Sequence, residues 1–110
     1  MPSVINRHHY TRKPLPLPNL YVGRPSALGN PFVLEKGDGP AVRARVLELY
    51  EDWLREALGC GREAQVEQWR KIRRETHLVC SCAPLPCHAD VIARVWTELQ
   101  PAQMELGTIA

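Results

Sequence analysis

Across residues 41–58 the apolar side chains return every three or four positions: Val42, Val46, Leu49, Tyr50, Trp53, Leu54 and Leu58. That spacing predicts an α-helix with a single apolar face. Arg43, Glu48, Glu51, Asp52 and Arg55 fall mainly on the other side. Pro40 stands just before the stretch and Gly59 just after it, where helix start and stop signals belong. A helix with one apolar face has to bury it against another layer, so the flanking segments must supply that layer.

Those segments read as short strands and further helices. "SVIN" and "NLYVG" are strand candidates, the second ending at Gly23, and "KPLPLP" between them is a Pro-rich connector centred on residues 14–18 whose fixed φ angles favour polyproline II. "REAQVEQWRKIRRET" reads as a second helix with Val66, Trp69 and Ile72 inward. "HLVCSC" is a compact strand, and "HADVIARVWTEL" is a helix with Val91, Ile92, Val95, Trp96 and Leu99 on its apolar face, stopped by Pro101. The order β-β-α-α-β-α predicts an α/β fold: one small domain over residues 1–100, with a short, largely parallel sheet flanked by helices and a tail at 101–110.

At 110 residues with 45% hydrophobic content, the chain can build its own core without a metal or disulfide staple. No apolar run approaches the roughly 18 residues of a membrane span, and "MPSVINRHHYTRK" lacks the apolar stretch of a secretory signal. The expected location is cytoplasmic, where Cys60, Cys80, Cys82 and Cys87 remain thiols or metal ligands. Net charge is +2, yet no acidic residue precedes Glu35, while Arg7, Arg12, Lys13 and Arg24 are basic and His8 and His9 add to that character. The segment reads as a solvated arm or as an anion-facing one. Arg70, Lys71, Arg73 and Arg74 form a second basic cluster that suits a helix C-terminus. The small net charge ranks nucleic acid lowest among the partners.

The chemistry concentrates in "VCSCAPLPCHAD", residues 79–90. The strand ends at "CSC", and its loop delivers Cys87, His88 and Asp90 to a helix start, where open α/β sheets place ligands and where donors and the dipole favour an anion or a thiolate. Three readings follow. As an enzyme, Cys87 is a thiol of lowered pKa and His88 and Asp90 handle protons. As a zinc site, Cys80, Cys82, Cys87 and His88 supply suitable ligands. The spacing C-x-C-x₄-C-H packs them unusually tightly, however, so no cofactor is expected and this set is the one that would hold zinc. As plain structure, Cys80 and Cys82 are buried on the strand's packed side, His88 caps the helix and Asp90 complements its dipole. Cys60, in "GCG", reads as an incidental loop thiol.

"YVGRPSALGNPF", "RARVLELYEDWL" and "HLVCSCAPLPCHADVIA" together resemble the domain of unknown function 4326 family, from about Tyr21 to Ala93. The C-terminal motif is also similar to the C-H-R ending of the domain of unknown function 488 family, with Ala89 where that family has Arg. The resemblance implies a small bacterial or phage accessory protein, and its pattern picks out Gly23, Arg24, Gly29, Asn30, Pro31, Phe32, Cys80, Cys82, Cys87, His88 and Asp90. If "YVG" and "LVCSC" are parallel neighbours, both exit loops meet at one sheet edge. Arg24, Gly29 and Asn30 would there bind a phosphate-bearing or nucleotide-like ligand beside Cys87, His88 and Asp90, with hydrolysis or transfer as the chemistry. The alternative is a non-catalytic phage-type interaction module with a structural Cys/His cluster.

Overall fold

The structure is a computed structural model and describes residues 2–7, 14–32, 34–35, 37–80 and 87–100. Cys82, the arm residues His8, His9, Arg12 and Lys13, and the tail 101–110 lie outside these residues. The elements are β1 (Ser3–Asn6), β2 (Asn19–Tyr21), α1 (Pro40–Cys60), α2 (Glu63–Trp69), β3 (His77–Cys80) and α3 (His88–Leu99), in the predicted order.

The three strands form one sheet in the order β1-β3-β2, with both pairings parallel. Leu78 aligns with Val4 on one side and Leu20 on the other. Leu78, Val79 and Cys80 of the central strand are all buried, so both faces of β3 are covered, as a parallel sheet requires. The single packed side expected at "CSC" thus gives way to a strand packed on both sides, with Val79 buried as well as Cys80.

Helix α1 runs past Gly59 and ends at Gly61, which takes the left-handed conformation (φ 71°). Gly61 N–H donates to Leu58 O at 3.3 Å and Arg62 N–H to Ala57 O at 2.9 Å, the two bonds of a Schellman cap. Its inward residues are Val46, Tyr50, Leu54 and Ala57, flanked by half-buried Leu47, Trp53 and Leu58, while Val42 is 45% exposed. The predicted stripe holds at Val46, Tyr50, Trp53, Leu54 and Leu58, while Leu47 rather than the expected Leu49 packs against the core. Helix α3 has the predicted bounds and buries His88, Ala89, Val91, Ile92, Ala93 and Val95. Within α1 Glu51 accepts from Arg55 at 3.0 Å, and across to α3 Glu51 accepts from Arg94 while Arg55 reaches Glu98.

The second helix is shorter than its sequence suggests. It stops at Trp69, and Ile72, past its end, is buried in the core at 2% exposure. The chain turns because Ile72 N–H donates to Trp69 O (3.1 Å) and Arg73 N–H to Thr76 Oγ1 (2.8 Å). Arg73 also donates to the carbonyls of Arg70 and Ile72, which gives part of the basic cluster a structural use. No helix among the described residues is long and apolar enough to cross a membrane.

Candidate functional site

Because β2 and β3 are parallel neighbours, their C-terminal ends lie at one sheet edge. The segment after β2 folds through tight turns, with Ser26 N–H donating to Gly23 O (2.8 Å) and Gly29 N–H to Ser26 O (2.9 Å). Three side chains hold this loop. Leu28 is buried, Tyr50 OH donates to Leu28 O at 2.6 Å, and Gln65 Nε2 donates to Ala27 O at 3.0 Å. Tyr50 belongs to the apolar stripe of α1, and burial pushes its hydroxyl pKa up. It therefore serves as a neutral donor.

Between this loop, α1 and the start of α3 lies a pocket of about 350 Å³. Arg24, Asn30 and Phe32 come from the loop, Arg43 from the first turn of α1, and Cys87 and His88 from α3, with Tyr21, Gly23 and Leu34 completing the wall. No carboxylate lines it among the described residues. Arg24 and Asn30 of the predicted ligand set thus share a pocket with Cys87 and His88.

Local bonding prepares each group. Tyr21 OH donates to Arg24 O at 2.8 Å, and Arg7 stacks over the Tyr21 ring at 5.0 Å. The Arg24 side chain makes no hydrogen bond or ion pair among the described residues. Asn30 Oδ1 accepts from Phe32 N–H at 2.8 Å, which leaves its NH₂ as a donor. His88 Nε2 lies 2.6 Å from Val22 O. A carbonyl only accepts, so Nε2 carries the proton and Nδ1 of the neutral ring keeps a lone pair. Burial pushes the His88 pKa below its ordinary 6.5, with Arg24 adding to that effect.

Other predicted residues sit differently. Gly29 does not line the pocket. A Cβ there would come within 3.0 Å of Ser26 O and 3.1 Å of the Arg24 Cα and Cγ, so this glycine lets the Arg24 segment pack closely instead of touching a ligand. Asp90 does not line the pocket either. Its carboxylate accepts Cys87 N–H at 2.9 Å and closes a capping box with the Cys87 side chain. It faces a separate hollow of about 720 Å³ whose wall shares only Cys87 with the pocket. Cys87, not His88, is the N-cap residue. The cap engages the Cys87 and Asp90 N–H groups at the helix start, where an anion was expected.

Cys87 itself departs from the expected low-pKa thiol. Its S–H donates to Cys80 Sγ at 3.5 Å, and both cysteines are buried. The Cys80 contact and then burial push the thiol pKa up, outweighing the N–H groups of Ala89 and Asp90 that pull it down. Iodoacetamide at neutral pH should therefore label exposed Cys60 in the folded protein and reach Cys80 and Cys87 only after unfolding. Rapid labelling of Cys87 in the native state, read by peptide mass mapping, would contradict this. Of the Cys80, Cys82, Cys87 and His88 zinc set, Cys82 lies outside the described residues. Among those described, no three His, Cys, Asp or Glu stand together to hold a metal ion.

Sequence reasoning missed two contributors. Arg43 looked like part of the solvated face of α1, and its signal was proximity to the helix start, where the long loop joins. Tyr50 looked like plain core, yet its ring also meets His88 edge-on at 5.3 Å. The family model described as "Domain of unknown function (DUF4326)" matches residues 5–98. No curated protein and no solved structure matches the chain.

Proposed function

The chain belongs to the family of domain of unknown function DUF4326, and from that premise we propose that it binds a phosphate-bearing or nucleotide-like ligand at the edge between the "GRPSALGNPF" loop and the start of α3. One observation carries the reading: Arg24 and Arg43 line a pocket of about 350 Å³ that has no carboxylate among its described wall residues. Guanidinium forks match phosphate oxygens in geometry and charge, and Asn30 adds an NH₂ donor. Phe32 and Leu34 offer apolar surface to the organic part. If the ligand is hydrolysed or transferred, His88 is the group suited to take a proton, through Nδ1. Cys87 and Asp90 hold the helix start.

A melting-temperature panel tests this. At about 100 times its Kd a ligand adds about 2.7 kcal/mol to stability, so at least one nucleotide should raise the transition by several degrees. A flat response to mono-, di- and triphosphates of all common nucleosides would overturn the proposal. A second reading, a non-catalytic interaction module with a structural Cys/His cluster, is favoured by the capping box and the Cys87–Cys80 contact. That reading predicts the flat response.

A further inference from the structure

One atom of the pocket narrows the ligand further, and the step rests on the binding proposed above. His88 Nε2–H is committed to Val22 O, so Nδ1 of the neutral ring is an acceptor with nothing to donate. The ring stays neutral because it is buried and because the Arg24 guanidinium is near enough for its charge to oppose a second proton. No protein group among the described residues bonds Nδ1. It is not walled off either, since Ser26 Oγ is the one enclosed and unbonded side-chain N or O atom among those residues. Nδ1 therefore opens toward the pocket, the one of the two hollows that His88 lines.

The other side-chain acceptors of the described wall are already engaged. Asn30 Oδ1 takes Phe32 N–H, Tyr21 OH is tied to Arg24 O, and the Cys87 thiol meets Cys80. A ligand thus faces donors from Arg24 and the Asn30 NH₂, and one open acceptor, Nδ1. A phosphomonoester carries about −1.5 to −2 charge at neutral pH, so its oxygens have little or no hydrogen to give. They match the Arg24 fork and repel the Nδ1 lone pair. A different part of the same molecule has to meet Nδ1, and it must carry a donor. Because the Arg24 charge is felt at the ring, that donor sits close to the phosphate. In a nucleotide the sugar hydroxyls do so, ahead of the base edge, and Phe32 and Leu34 offer the base an apolar surface.

We infer that the ligand is a ribonucleotide, with Arg24 holding its phosphate and a 2′- or 3′-hydroxyl donating to His88 Nδ1. His88 is then the residue that separates ribonucleotides from their deoxy counterparts.

Isothermal titration of the full chain tests this with the common ribonucleoside 5′-monophosphates and their 2′-deoxy and 3′-deoxy counterparts. At least one ribonucleotide should bind about tenfold or more tightly than one of its deoxy forms, as expected when an enclosed acceptor loses its partner. Imidazole ¹⁵N spectra, with the His88 signals assigned by their loss in His88→Gln, read the atom itself. The Nδ1 resonance should move on saturation with the ribonucleotide and stay near its free position with the weaker deoxy form. Three results overturn the hydroxyl inference and leave the binding proposal standing: equal affinity for all three forms, an Nδ1 resonance that the ribonucleotide leaves unmoved, or one that the deoxy form moves as far. Absence of binding by every compound overturns both.

Discussion

Arg24→Ala is expected to remove ligand-induced stabilisation while leaving the unliganded protein nearly as stable as before. The side chain is exposed and makes no hydrogen bond or ion pair among the described residues, so folding loses little when it is truncated. A bound phosphate would lose a charge-assisted fork, about 2–3 kcal/mol or roughly 30- to 150-fold in affinity. The separation of the two effects is what makes the variant informative. A structural arginine would lower the melting temperature of the free protein, whereas a ligand-binding one lowers only the increment added by ligand. Parallel melting curves with and without ligand check it, and an unchanged increment would contradict the role given to Arg24.

His88→Ala should produce the largest loss of stability among the site variants. The ring is 7% exposed, bonds Val22 O at 2.6 Å and packs edge-on against Tyr50. Its removal leaves a buried carbonyl unpaired and a cavity beside Tyr50, together about 3–5 kcal/mol, a large share of the roughly 5–15 kcal/mol that stabilises a domain. His88→Gln can return a donor toward Val22 O and should recover part of that loss. The same residue sets a pH dependence. Its folded pKa lies below the ordinary 6.5, so below that pH the unfolded chain binds the extra proton and the folded chain resists it. Stability is therefore full above 6.5 and falls as the solution is acidified, by up to about 1.4 kcal/mol per pH unit until the folded pKa is reached. Urea unfolding of the wild type and His88→Gln across this window checks the claim. The variant should show the shallower pH dependence, and identical slopes would contradict the assignment.

Much of the fold was legible because strong local periodicity agrees with the tertiary arrangement. The bounds of α3 match the stretch "HADVIARVWTEL", and the parallel neighbours β2 and β3 follow from two short apolar runs separated by helices. Where one residue serves the core from outside a regular element, the pattern misleads. Ile72 extends the helical spacing of α2 on paper, but it is buried after the helix has ended. Of the two glycines in "LGCG", only Gly61 takes positive φ, a choice made by cap geometry and invisible in composition. The site divides in the same way. Arg24, Asn30, Cys87 and His88 meet because strand topology brings them to one edge. Asp90 leaves that group because its carboxylate caps the Cys87 N–H three residues back. Cys87 loses its expected acidity because the Cys80 contact and burial outweigh a helix start, a balance that spacing alone does not display.

The location of the ligand tests the account most directly. Amide chemical shifts of the isotope-labelled protein, followed during titration with nucleoside monophosphates, should move first around Tyr21, Gly23, Arg24, Asn30, Phe32, Arg43 and His88. The hollow bordered by Val4, Leu47, Glu51 and Arg94 should stay silent. Saturable shifts confined to that hollow, or no shifts at either place, would contradict a phosphate-binding pocket at the edge shared by β2 and β3.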